Sequence, residues 1–131
     1  MLKKTLTGHT DPIRALVLLD TNILASAAED YTIKIWNISE GRVKQTLRGH
    51  TKRVLALVML KNGDLVSASS DKTIKVWDLS DGAVKRTLKG HTNEVWDLAL
   101  LQNEDLVSAS SDRTIKIIMS SPMPSILLLP T

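Results

Sequence analysis

Residues 65–78 read LVSASSDKTIKVWD. Leu65 and Val66 lead into small Ser67, Ala68 and Ser69, and Asp71 turns the chain into a second run, Thr73, Ile74 and Val76, that is rich in β-branched residues. Two short runs either side of a turn residue predict a β-hairpin closing on Trp77-Asp78. Near-copies stand at residues 24–37 and 106–119, each 41 positions away. Outward from the hairpin, Gly49-His50 marks a turn, and the string Thr-Leu-x-Gly-His-Thr recurs at residues 5–10, 46–51 and 87–92. A fixed period of this length is the signature of a repeat architecture and takes precedence over local readings.

Each copy carries the same series of segments. After Gly-His comes an apolar run, Ile13 to Leu19, Val54 to Leu60 or Val95 to Leu101, long enough for a strand buried on both faces. A turn follows at 20–22, 61–64 or 102–105, then the hairpin, then a fourth run, Arg42 to Leu47 or Ala83 to Leu88. Four short antiparallel strands per unit result, and helical periodicity is nowhere sustained. The units are bounded at about 9–47, 50–88 and 91–119, and Leu2 to Leu6 matches Val43 to Leu47 in register, which predicts an outer strand at 2–6. Residues 120–131, SSPMPSILLLPT, depart from the pattern: prolines deny backbone donors, and Ile126 to Leu129 lacks the usual charge.

Composition sets outer limits. The chain has 131 residues, 43% hydrophobic and 24% charged, as in a globular protein with a real core. Zero cysteines exclude disulfides and thiol-rich metal sites and fit a cytoplasmic protein, with the nucleus an open alternative. No apolar run approaches the roughly 20 residues that span a bilayer, so no membrane partner is expected. The net charge of +3 is too small an excess to imply nucleic acid by itself.

The units resemble those of WD-repeat β-propellers in length, in Gly-His near the start and in Trp-Asp at the end. The resemblance covers residues 1 to about 119 and is uneven only at the final dipeptide, which is Trp36-Asn37, Trp77-Asp78 and then Ile118-Met119. It implies an all-β fold of four-stranded blades, three in number. It also implies a hydrogen-bonded structural tetrad of His9, Ser26, Asp30 and Trp36 in the first unit and His50, Ser67, Asp71 and Trp77 in the second. The third retains His91, Ser108 and Asp112 but has Ile118 in place of Trp, a loss expected to loosen that blade by about 1–4 kcal/mol.

His, Ser and Asp recurring together also resemble a nucleophilic triad. An enzyme concentrates such a set once, in a pocket with an activated nucleophile; three sets at equal spacing are scaffold, and a hydrolase is a distant alternative. No catalytic residue, metal site or cofactor is assigned, because the three histidines fall one per unit and the six glycines form no phosphate loop.

Positions that vary between copies while their neighbours do not are the candidates for binding. In the turns that resemble the family's ligand-facing rim these are Asp11, Arg14, Glu29 and Tyr31, then Lys52, Arg53, Leu55, Ser70 and Lys72, then Asn93, Glu94, Trp96, Ser111 and Arg113. A protein or peptide partner is expected on Arg14, Tyr31, Lys52, Arg53, Leu55, Lys72, Glu94, Trp96 and Arg113. Trp96 reads either as an interface anchor or as inner-strand packing. The alternative function is a phosphopeptide or nucleic-acid reader using Arg14, Lys52, Arg53, Lys72 and Arg113. Positions identical in all copies, such as Leu24, Leu65 and Leu106 or Ile33, Ile74 and Ile115, read as core. Lysines and arginines of the fourth runs read as guards of an exposed sheet edge.

Propellers close with about four to eight blades, so three leave apolar faces uncovered. The chain is then a fragment of a longer propeller, or a partner of other copies in an oligomeric ring, or prone to aggregate.

Overall fold

The structure, a computed structural model, describes residues 1–119. The tail at 120–131, with its apolar run at 126–129, lies outside the described residues. Among the described residues, eleven strands form three antiparallel sheets. The first holds β1 (Ile13–Asp20), β2 (Ile23–Ala28), β3 (Ile33–Asn37) and β4 (Arg42–Leu47) in sequential order. The second holds β5 (Val54–Met59), β6 (Leu65–Ser69), β7 (Ile74–Asp78) and β8 (Ala83–Leu88), and the third β9 (Val95–Leu100), β10 (Leu106–Ser110) and β11 (Ile115–Ile118). The opening stretch LVSASSDKTIKVWD is the β6–β7 hairpin, with Leu65 opposite Trp77 and Ala68 opposite Ile74.

Sequential antiparallel meanders follow from short loops between runs with β-branched residues, and the sheets stack because each is apolar on both faces. One buried cluster joins Ala25, Ala27, Ile33 and Ile35 of the first sheet to Val54, Leu57, Leu65 and Trp77 of the second. Another joins Ala56, Val66, Ile74 and Val76 of the second to Val95, Leu98 and Leu106 of the third. Position in the stack decides burial: all five residues of β6 are buried, whereas β10, with the same sequence LVSAS, is buried only at alternate residues.

Three expectations are corrected here. Burial of the first run on both faces holds for the middle blade alone; in β1 Ile13, Leu16 and Leu18 are exposed, and in β9 so are Trp96, Leu100 and the adjoining Leu101, because among the described residues no sheet covers those outer faces. Ile115, read as core from its identity with Ile33 and Ile74, is 71% exposed for the same reason. The outer strand expected at 2–6 has no strand pairing: a strand is defined by its ladder, and none of the described strands pairs with this segment. Lys4 instead donates from Nζ to the carbonyls of Ile38 and Ser39, both at 2.8 Å, tying the segment to the β3–β4 turn.

Candidate functional site

Two sets of polar residues stand at the same end of the sheets. The first is internal. In the middle blade Asp71 Oδ2 lies 2.8 Å from His50 Nδ1, His50 Nε2 lies 2.6 Å from Ser67 Oγ, and Trp77 Nε1 donates to that oxygen at 2.8 Å. A carboxylate only accepts and an indole N–H only donates, which orders the chain: Nδ1–H donates to Asp71, and the Ser67 hydroxyl accepts from Trp77 and donates to Nε2. The first blade repeats this through Asp30, His9, Ser26 and Trp36, at 2.8, 2.6 and 2.8 Å. The third has Asp112–His91 and His91–Ser108, both at 2.7 Å, and ends there, Ile118 having no N–H to offer.

Each aspartate also fixes its own turn. Asp30 Oδ1 accepts from the Thr32 amide and hydroxyl and Oδ2 from the Thr10 amide. Burial pushes its carboxyl up, but the Thr32 hydroxyl and the His9 ring, with these amides, outweigh burial and hold it at about 2. Burial is likewise overcome at Asp71 by His50 and Thr73, leaving that carboxyl well below its ordinary range. At Asp112 the Thr114 hydroxyl leads, opposed by burial and aided by His91.

The second set is the rim. Asp11, Glu29, Tyr31, Lys52, Arg53, Ser70 and Glu94 line an open cavity of about 450 Å³ that crosses all three blades. Arg53 lies 3.8 Å from both Glu29 and Glu94, Arg14 donates to Glu29 at 2.8 Å, and Ser70 donates to Glu94 at 3.0 Å. Of the expected binding residues, the structure brings Tyr31, Lys52, Arg53 and Glu94 together and joins Arg14 to them through Glu29. Leu55, Lys72, Trp96 and Arg113 do not line the cavity. Trp96, with Arg14 and Leu55, occupies the irregular step near the start of an innermost strand, and it is 52% exposed rather than packed inside.

Tyr31, Lys72 and Arg113 occupy one position of the β2–β3, β6–β7 and β10–β11 turns, and all have φ near +75°. Left-handed backbone costs a residue with a Cβ about 1–2 kcal/mol, which the Asx turn of the preceding aspartate holds in place. Two residues that no reading singled out, Ser69 and Ser110, support these turns: Ser69 Oγ donates to the Arg53 carbonyl at 2.8 Å and accepts from the Asp71 amide at 3.0 Å. Ser110 Oγ donates to the Asn93 carbonyl at 3.3 Å, as Ser69 also does to Lys52, and accepts from the Asp112 amide at 3.0 Å, while the first blade has Ala28 there. A serine appearing in two copies of an otherwise constant position was the available signal.

The three meandering sheets, packed face to face around a shared axis of inner strands, are blades of a β-propeller. A family model described as WD domain, G-beta repeat, matches residues 1–37, 41–78 and 82–118, and the chain belongs to that family. Among solved structures it is similar to the one titled "Crystal structure of WD40 beta propeller domain of Doa1", with a TM-score of 0.82 and 29% sequence identity over 86% of this chain. The chain spans 38% of the length of that structure. No curated protein matches it.

Proposed function

We propose that the chain is a non-catalytic interaction scaffold that takes a protein or peptide partner on the rim of turns around Arg53. The observation that carries this reading is the position of Arg53 between Glu29 and Glu94, in an open cavity that draws residues from all three blades. Adjacent carboxylates already partner Arg14 and Arg53, two of the five cations on which a phosphate reader would rely, whereas a peptide with both signs of charge can exchange with these surface pairs. Of the three turns with left-handed backbone, the one between β2 and β3 adds Tyr31 to this cavity, where glycine would otherwise be favoured. The His–Ser–Asp sets belong to the scaffold: Ser26, Ser67 and Ser108 are at most 1% exposed, so no substrate reaches their hydroxyls. A serine-directed fluorophosphonate should therefore leave all three unlabelled.

The test is photo-cross-linking. A benzophenone amino acid at Tyr31 should capture a partner that is not captured from Lys61, at the opposite end of β5, and Arg53→Glu should abolish capture. A partner caught equally from Lys61, or indifferent to Arg53→Glu, overturns the reading. Capture that collapses steeply with salt and is competed by a phosphopeptide would favour the phosphate reader instead.

A further inference from the structure

The turns that join the first two strands of the second and third blades are built alike. In the β5–β6 turn the Gly63 amide donates to the Leu60 carbonyl at 3.0 Å, the Asp64 amide donates to Asn62 Oδ1 at 2.9 Å, and Asn62 Nδ2 donates to Asp64 Oδ2 at 3.2 Å. In the β9–β10 turn the Glu104 amide, the Asp105 amide and Asn103 Nδ2 make the same three bonds, to the Leu101 carbonyl, Asn103 Oδ1 and Asp105 Oδ2, at 2.9, 3.0 and 3.1 Å. Both turns put the residue after the asparagine in the left-handed region, at φ 93° for Gly63 and 73° for Glu104. Packing does not account for the glycine: a Cβ at Gly63 would meet, among the described residues, nothing within 4 Å, and Glu104 carries a side chain at the same place.

The two turns differ in their chemistry. Asparagine is thermolabile, because the backbone nitrogen of the next residue can attack its side-chain carbonyl carbon. A Cβ on that next residue stands in the way, and glycine alone has none. The chain has five asparagines, and Asn62 is the one followed by glycine; Ile23, Ile38, Glu94 and Glu104 follow the others. Asn62 and Gly63 are both exposed, so water reaches them.

We infer that Asn62 is a site of self-deamidation that the fold holds closed, and that it converts to aspartate and isoaspartate when the β5–β6 turn opens. The Gly63 nitrogen attacks Asn62 Cγ, a Cγ–N bond forms, the Cγ–Nδ2 bond breaks, and Nδ2 leaves as ammonia with the proton that Gly63 gives up. Water then opens the five-membered imide at one carbonyl or the other, giving aspartate or a backbone that runs on through Cγ; nothing is oxidised or reduced. The native turn denies the first step, since the attacking nitrogen gives its N–H to Leu60 and the side chain under attack is held at both ends by Asp64. Either product lacks the amide that donates to Asp64 and sets a second carboxylate beside it. The turn lies at the end of β5 away from the rim, and the proposal is independent of what binds there.

The full chain is incubated at neutral pH, one portion folded and one in guanidinium chloride, and peptide mapping by mass spectrometry follows Asn62 and Asn103 in both. In denaturant Asn62 should show the mass gain of amide to acid, with isoaspartate among the products, well before Asn103 does. In the folded portion its conversion should be slower by about tenfold for each 1.4 kcal/mol that opening the turn costs. Equal rates at Asn62 and Asn103 in denaturant overturn the site, and equal rates at Asn62 in the two portions overturn its closure by the fold. Gly63→Glu copies the third blade and should slow Asn62 to the pace of Asn103. That comparison is read in denaturant, so it holds whether or not the variant folds, and a Gly63→Glu chain that converts as fast as before counts against the proposal.

Discussion

Ser67 holds one proton and serves two neighbours, and that limits what can replace it. Its oxygen accepts from Trp77 and its hydrogen goes to His50, both at full burial. Ser67→Ala leaves an indole N–H and a ring nitrogen unpaired in the core, at a cost of about 1–3 kcal/mol each before relaxation. Denaturant melts should show a loss near the upper part of that range, and Ser108→Ala, with no indole to orphan, a smaller one. Equal losses would mean that the tryptophan bond contributes nothing. The aspartates set the response to acid. With its carboxyl lowered from 3.8 to about 2, Asp30 contributes fully above pH ~4, and its contribution fades as the pH falls through about 2. Asp71 and Asp112 shift in the same direction. Stability followed by denaturant titration should therefore fall steeply below pH ~4, and Asp71→Asn should be less stable at neutral pH and show a shallower acid slope. A slope unchanged by that substitution would place the acid sensitivity elsewhere.

At the scale of the element, the hairpin was legible in the sequence because turn chemistry and β-branching agree on it. The tetrads came from the resemblance, and the reason for them is visible only in three dimensions, where each joins a loop, two strands and a turn. The rim was half legible. Variation among copies found every residue that lines the cavity, Asp11, Glu29, Tyr31, Lys52, Arg53, Ser70 and Glu94, along with others that do not line it, but pairing across blades, such as Arg53 with Glu29, depends on how sheets stack and leaves no trace in a period of 41. Asn37 and Asp78 show why the final dipeptide tolerates exchange: Asn37 Oδ1 accepts from the Glu40 amide and Asp78 Oδ1 from the Ser80 amide, so either side chain closes the turn to the fourth strand. Ile118 is a different matter. A Cβ at Gly49 would stand 3.1 Å from the Trp77 ring, whereas one at Gly90 meets, among the described residues, only Lys116, at 3.7 Å. Ile118→Trp should occupy that space and reach Ser108, raising the Tm by roughly 3–5 °C for about 1 kcal/mol gained. An unchanged or lower Tm would mean that the third blade has repacked around isoleucine. At the rim, Tyr31→Gly should relieve left-handed strain, leaving stability level or slightly higher while partner capture falls. A fall in stability without loss of capture would make Tyr31 structural.

For the whole molecule, a single sequence revealed how many units there are but not which of them are covered. Ile33, Ile74 and Ile115 are the same residue at the same place in the period, yet the first two are buried and the third is open. Burial in a repeat array belongs to the neighbour as much as to the residue. The twin strands β6 and β10 carry this into dynamics. Amide hydrogens exchange through local openings, and an opening costs what the lost contacts were worth. β6, enclosed on both sides, should hold its deuterium protection longest, and β10 should exchange ahead of it although the two sequences are identical. Deuterium uptake at the two positions then separates two events: the same five letters report local opening of a less enclosed blade in β10 and global unfolding in β6.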